Sequence, residues 1–312
     1  MHSWRCVRIL LLAACLLPLS GCLFRSHKVQ SGMSNAPLKT ATEAELVNRI
    51  NTAAERVRTL NATVDIATSV GGWTKGKITQ YQEIRGYILL RKPDMLRMVG
   101  LLPVVRNRAF DMVSNGQTFE LSIPPKNRFI MGRNDVITHN TNQPLENLRP
   151  QHIFDALLVH KIDSDNEIAV LENSYLAVTD PKSKRQLQQP DYVIIVIQRG
   201  DSGWYLSRKI IFDRTDLQPH EQIVYDKNGY IASDVHYSRF TPADGVDFPY
   251  EIDIWRPQEE YDINLTIVKL TLNQPLNNDQ FVLERPPGSQ VVRLDVPNQP
   301  SRSGDGEAPN NP

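Results

Sequence analysis

The 312-residue chain carries 35 basic and 35 acidic side chains, so no charge excess draws it to nucleic acid. Its three cysteines are too few for a disulfide scaffold, and Cys6 and Cys15 both fall in the apolar N-terminal stretch. The histidines are scattered singly, with no His-Glu-x-x-His spacing, no Gly-x-Ser-x-Gly elbow and no phosphate-cradling glycine loop nearby. These features argue against an enzyme and predict no cofactor and no metal.

Residues 1–21 read as an export signal. Arg5 and Arg8 form the positive start, and the apolar run over 9–17 is too short to cross a bilayer core of about 30 Å. Leu19-Ser20-Gly21-Cys22 then resembles the bacterial lipobox, in which cleavage before the cysteine makes its thiol the point of lipid attachment. Cys22 is accordingly the predicted lipid-attachment residue. Leu23 after it, rather than aspartate, resembles the default signal for the outer membrane. The expected location is therefore a lipid anchor in the outer membrane, facing the periplasm. Residues 22–41 are polar and without period, and are expected to act as a flexible tether with a reach on the order of 25 Å.

A folded body is predicted over 42–295. It opens with Thr42-Glu43-Ala44-Glu45, a capping box, followed by Leu46, Ile50, Ala53, Val57 and Leu60 at helical spacing. That apolar stripe predicts an amphipathic helix from 43 to 59, with Leu46, Ile50 and Val57 as the plug of the fold. From residue 61 the period becomes two. Val64 and Ile66, then Ile88 and Leu90, alternate with polar neighbours, and short strands follow over 95–99, 109–113, 118–123 and 128–131. Asn115-Gly116 marks a two-residue hairpin, because both residues tolerate positive φ.

Pro150 opens a short helix carrying Ile153, Phe154, Leu157 and Leu158. Asp163-x-Asp165-x-Glu167 lacks the glycine of a calcium loop and reads as a hairpin tip. Strands return at 167–178, and 180–190 reads as a polar linker. Residues 192–197 are continuously apolar, as in a strand covered on both faces. Leu206 and Ile210, Val235 and Tyr237, and Ile252 and Ile254 alternate in later strands, with a second Asn-Gly hairpin at 228–229. In the final strand Ile263, Leu265 and Ile267 share one parity while Val268, Leu270 and Leu272 share the other, which requires a bulge or burial on both sides. Residues 296–312 are rich in proline, asparagine and glycine and read as a disordered tail.

The predicted class is mainly β (α+β): a half-open antiparallel β-barrel of about eleven strands closed by the N-terminal amphipathic helix and the short mid-chain helix. Two features point to a task. The apolar loop Gly100-Leu101-Leu102-Pro103, flanked by Arg97, Arg106 and Arg108, reads either as buried strand ends or as an apolar finger for a membrane or an acyl chain. The inward residues Val64, Ile66, Ile88, Leu90, Leu206, Ile210, Val235, Tyr237, Ile252, Ile254 and Leu265 either fill a core or line a cavity.

Several stretches resemble the LolA/LolB family of lipoprotein carriers. Gly86-Tyr87-Ile88-Leu89-Leu90-Arg91-Lys92-Pro93 is similar to the family's strand ending in a basic residue and proline. Ser114-Asn115-Gly116 with Leu121-Ser122-Ile123-Pro124 is similar to its hairpin, and Gly245-Val246-Asp247-Phe248-Pro249 to its closing unit, as is the run 281–288. The resemblance implies a hydrophobic cavity for lipid or lipoprotein acyl chains, a role in lipoprotein localisation, no catalysis, and a soluble periplasmic carrier as partner. It also implies that the 100–103 loop corresponds to the protruding apolar loop of the membrane-anchored member. A different reading is a non-enzymatic envelope module that binds or senses a protein and keeps only a vestigial cavity.

Overall fold

The computed structural model describes residues 32–33, 37–72, 76–136, 149–179, 183–201 and 203–294. The export signal, Cys22, most of the tether and the 296–312 tail lie outside the described residues. The chain divides into two compact units, one of 1–35 with 175–189, the other of 36–174 with 190–312. In the smaller unit β1 (Gly32–Met33) pairs in parallel with Leu187 and Gln188, and Gln186 donates to the Thr179 hydroxyl.

The larger unit begins where a loose tether was expected, and the chain there is already fastened. The Lys39 N–H donates to the Arg214 carbonyl at 2.7 Å, and Arg214 Nε donates back to the Lys39 carbonyl at 3.2 Å. Helix α1 (Glu43–Arg56) follows. The Thr42 hydroxyl accepts from the Glu45 N–H, and the Glu45 carboxylate accepts from the Thr42 N–H, so two otherwise unpaired donors of the first turn are satisfied. The helix ends at Val57, whose extended backbone leads directly into a strand, and not at 59.

The strands are β2 (Thr59–Gly72), β3 (Lys77–Gln80), β4 (Ile84–Arg91), β5 (Met95–Leu101), β6 (Arg108–Ser114), β7 (Thr118–Ile123) and β8 (Arg128–Arg133). After α2 (Pro150–Leu157) come β9 (Glu167–Thr179), β10 (Gln186–Gly200), β11 (Gly203–Asp213), β12 (Pro219–Tyr225), β13 (Ile231–Ala243), β14 (Val246–Arg256), β15 (Tyr261–Leu272) and β16 (Gln290–Arg293). Both Asn-Gly hairpins form, with Gly116 and Gly229 at φ 86° and 84°.

Strand β2 is the hinge of the sheet order. It pairs with β15 on one side and β4 on the other, joining the meander β10 to β15 to the meander β4 to β8. The order does not return on itself, so the barrel is not closed. Two expectations are corrected here. Sixteen strands form among the described residues rather than eleven, and the pairing is mixed, since β16 runs parallel to β8 and β1 is parallel to its partner. The 180–190 linker also gives way to strand, with β9 reaching Thr179 and β10 starting at Gln186.

The face swap in β15 resolves as a bulge. Register slips between Ile267 and Lys269, Val268 turns outward, and Ile263, Leu265, Ile267 and Leu272 all remain buried. Inside, two apolar clusters divide the work. Val57 and α2, through Ile153, Phe154, Ala156 and Leu157, pack on β2, β4 to β8 and β13 to β15. Helix α1, through Leu46 and Ile50, packs with Tyr192, Ile194, Val196, Ile210, Phe212 and Leu217. The short helix therefore fills the larger cluster, where the sequence pattern assigned the main plug to α1.

Candidate functional site

A cavity of about 580 Å³ opens beneath α1. Its roof is the inner side of that helix, including Ile50, Ala53 and Val57. The end of α2 and the residues after it, Leu157 to Val159, form one wall, and Phe212, Leu217, Tyr237, Phe240, Val246 and Phe248 form the others. Glu45, Arg49, Arg56, Gln218 and Asp247 add polar groups to the lining. The α1 stripe explains why space exists there. Leu46, Ile50 and Val57 are buried, but Ala53, the small member between them, is exposed over the cavity. A larger side chain at 53 would close the gap that a methyl group leaves.

Two further details shape the walls. Leu217 sits at φ 63°, a left-handed conformation that costs a non-glycine residue on the order of 1–2 kcal/mol, and its side chain is buried against the α1 cluster. The Tyr237 hydroxyl donates to the Ala156 carbonyl at 2.9 Å, which pins the end of α2 to β13, and burial pushes its phenol well above the ordinary range. At the rim Arg56 Nη1 donates to the Gly245 carbonyl at 3.2 Å, tying the last turn of α1 to the β13–β14 turn.

The cavity is not where the alternating strand residues pointed. Of the eleven inward candidates, Tyr237 alone lines it. Val64, Ile66, Ile88, Leu90, Ile252, Ile254 and Leu265 are packed in the larger apolar cluster and Ile210 in the α1 cluster. Leu206 is half-buried, and Val235 lines a second, polar cavity of about 490 Å³. The wall residues Leu217, Val246 and Phe248 sit at or beside turns. The strand-opening motif at 245–249 was the one available signal for them.

The loop between β5 and β6 differs in detail from its expected form. Gly100 is buried, and a Cβ there would strike the Phe110 ring. Leu101 and Leu102 are half-buried, and the tip is turned by Arg106 N–H donating to the Leu102 carbonyl at 3.0 Å. Pro103 is exposed, and beyond it Val104 at 98% and Val105 at 63% exposure stand in solvent. The flanking cations are only partly free to meet a surface. Arg97 and Arg108 both bind the buried Asp111, at 2.8 and 2.9 Å, while Arg106 is exposed.

Among the described residues no helix is long and apolar enough to cross a membrane. The Asp163 turn is held by its own bonds, the carboxylate accepting from the Asp165 N–H and Asn166 Nδ2. One group of metal-ligand type side chains does assemble on the outer face, Glu221, Asp234 and His236, with ligand atoms within 4.8 Å of one another. Sequence inspection missed it because Glu221 and His236 meet only through the β12–β13 register. Burial, and then the neighbouring Asp234, raises the Glu221 carboxyl above its usual value.

No protein-family model matches the sequence, and no curated protein matches it. Among solved structures, the chain is similar to a LolA superfamily protein from Nitrosomonas europaea, at 12% identity over 78% of this chain and 99% of that one, with a TM-score of 0.46. It is also similar to a DUF1329 family protein from Desulfovibrio piger, at 14% identity over 77% and 95% of the two chains, TM-score 0.49. A third is a domain described as an outer membrane lipoprotein-sorting protein from Vibrio parahaemolyticus, at 10% identity over 77% and 97%, TM-score 0.44. These likenesses concern the fold alone.

Proposed function

We propose that this chain is a lipid-anchored, non-enzymatic protein of the bacterial envelope that takes acyl chains, from free lipid or from other lipoproteins, into the cavity beneath α1. In doing so it assists lipoprotein localisation at the outer membrane, with a soluble periplasmic carrier as the partner that the family resemblance implies. The observation that carries this reading is the uncovered middle of the α1 stripe. A helix whose apolar face is sealed at Leu46, Ile50 and Val57 but open at Ala53 leaves unfilled space against Phe212, Tyr237, Phe240 and Phe248. Its size falls within the roughly 300–1,000 Å³ typical of small-molecule sites, and the aliphatic and aromatic part of its wall favours hydrocarbon over water.

The test uses the Cys22→Ala chain purified from cells, examined by native mass spectrometry and by titration with a fluorescent fatty acid. The expected result is copurified lipid and saturable probe binding. Ala53→Trp should weaken binding by about tenfold or more, roughly 1.4 kcal/mol, without lowering the melting temperature. A bare mass together with no probe binding would overturn the reading. A tight protein partner in the same preparation would then favour the protein-binding module.

A further inference from the structure

The second cavity, of about 490 Å³, is lined from another part of the α2 segment and carries more buried charged side chains. Leu157 to Val159 face the apolar cavity, whereas His152, Asp155, Ala156, His160 and Lys161 line this one. Its wall includes side chains that are polar and almost wholly withdrawn from solvent: Arg208 and Arg256, each 7% exposed, Gln222 at 2% and Ser233 at 7%. Buried polar atoms in native proteins almost always have a partner, because leaving one unsatisfied is costly. Here three in one wall lack a partner among the described residues: Arg208 Nε, Gln222 Oε1 and Ser233 Oγ.

Of these three, Arg208 Nε is a donor, Ser233 Oγ can donate or accept, and Gln222 Oε1 is an acceptor as it stands. Each carboxylate in the wall accepts through at least one oxygen. Asp155 Oδ1 contacts Gln151 Nε2 and the His160 ring, both at 2.8 Å, and Asp163 accepts from Asn166 and a backbone N–H. Glu167 Oε2 accepts from Arg208 Nη2 at 3.0 Å and from the Asp163 N–H at 2.9 Å. Arg208 spends Nη1 and Nη2 on Glu167 and on the carbonyls of His160 and Lys161, and its Nε–H remains. Arg256 is held by Glu259 at 2.7 Å. The Ser233 hydroxyl can donate, and the Gln222 amide can turn to present its NH₂ instead of its oxygen. In keeping with a positive local field, burial and then the guanidiniums of Arg256 and Arg149 hold His152 well below the usual imidazole range.

From these residues we infer that the polar cavity is a binding site for an oxyanion, a phosphate or phosphate ester held by the Arg208 Nε–H with Ser233 and Gln222. The inference is independent of acyl binding in the first cavity. The oxyanion could arrive free or as the headgroup of a phospholipid, and the experiment separates the two.

Isothermal titration of the Cys22→Ala chain with inorganic phosphate, glycerol 3-phosphate and dihexanoyl phosphatidylglycerol is the assay. Binding of the first two assigns a free oxyanion, and binding of the short-chain lipid alone assigns a headgroup. Gln222→Glu is nearly isosteric and adds a negative charge, so it should weaken any of these by about 10–100-fold, the equivalent of one charge-assisted hydrogen bond. Ser233→Ala should weaken them less, and Ala53→Trp, in the other cavity, should leave phosphate binding unchanged. Melting curves identify any variant that fails to fold, and if Gln222→Glu does so, the comparison rests on Ser233→Ala. Absence of binding by all three probes overturns the inference. Binding that is as tight in both Gln222→Glu and Ser233→Ala as in the parent does so too.

Discussion

Asp191 shows how one side chain can oppose the fold that holds it. It is 3% exposed, stands opposite Asp213 in the β10–β11 register, and its Oδ1 has no hydrogen-bond partner among the described residues. Burial first, then the nearby Asp213 and Glu221, raise its carboxyl to about 6, with His220 and Arg214 offsetting part of the effect. The folded chain thus binds this proton more tightly than the unfolded chain, whose carboxyl titrates near 3.8. By linkage, stability falls as pH rises from about 4 to about 6, and the full penalty persists above that. Asp191→Asn removes the charge while keeping the shape. It should stabilise the protein at pH 8 by on the order of 1–3 kcal/mol, and the gain should fade toward pH 4.5. Paired melting curves at the two pH values check this. An equal gain at both, or a loss at pH 8, would exclude a buried charge as the cause.

At the scale of elements, the β5–β6 loop is where sequence and structure differ most usefully. Leu101 and Leu102 draw the eye as the apolar centre of the run, yet the strand end and the turn shelter them, and Val104 and Val105 stand in solvent. Val104 does so at φ 66°, a region that β-branched residues seldom enter. Changing both valines to asparagine should therefore leave the melting temperature unchanged or slightly higher, since asparagine tolerates left-handed backbone and surface changes usually stay within about 0.5 kcal/mol. If the loop touches a bilayer, co-flotation of the Cys22→Ala form with liposomes should drop, because two apolar side chains worth about 1.5–3 kcal/mol each on full burial are lost. Undiminished flotation of a stable variant would remove this loop from any membrane role. Elsewhere the local signals carried well: the capping box at Thr42, the Asn-Gly hairpins, and the parity change that became the Val268 bulge were all legible before folding. What escaped reading lacks a local signal. β3 is exposed at every position, and β10 runs through Pro190, a residue that argues against a strand by itself. β16 exists through its parallel pairing with β8, from the far end of the chain. The cavity was illegible for a related reason: it results from the smallness of Ala53 and from side chains at turns, neither of which alternation can reveal.

For the molecule as a whole, the proposed function couples two sites that the chain keeps far apart in sequence, a lipid-bearing Cys22 and an apolar cavity assembled from residues 40 to 249. The cavity is built inside the larger unit, whose first described backbone bonds begin at Lys39, so loss of the anchor should not disturb it. Cys22→Ala should then move the protein from the membrane fraction to the soluble periplasmic fraction while leaving its melting temperature and its acyl-probe affinity unchanged. The shift should be nearly complete, because stable anchoring takes about two buried acyl chains, which the lipobox cysteine would supply. A few exposed valines are a much weaker attachment. Fractionation of cells expressing each form, followed by blotting of the outer membrane and periplasm, reads the outcome. Retention of the Cys22→Ala chain in the outer membrane would show that something other than a lipid on Cys22 holds it there, and attention would turn to Val104 and Val105. Release accompanied by loss of probe binding would instead tie cargo binding to the anchored state, contrary to a cavity that α1, α2 and the sheet form by themselves.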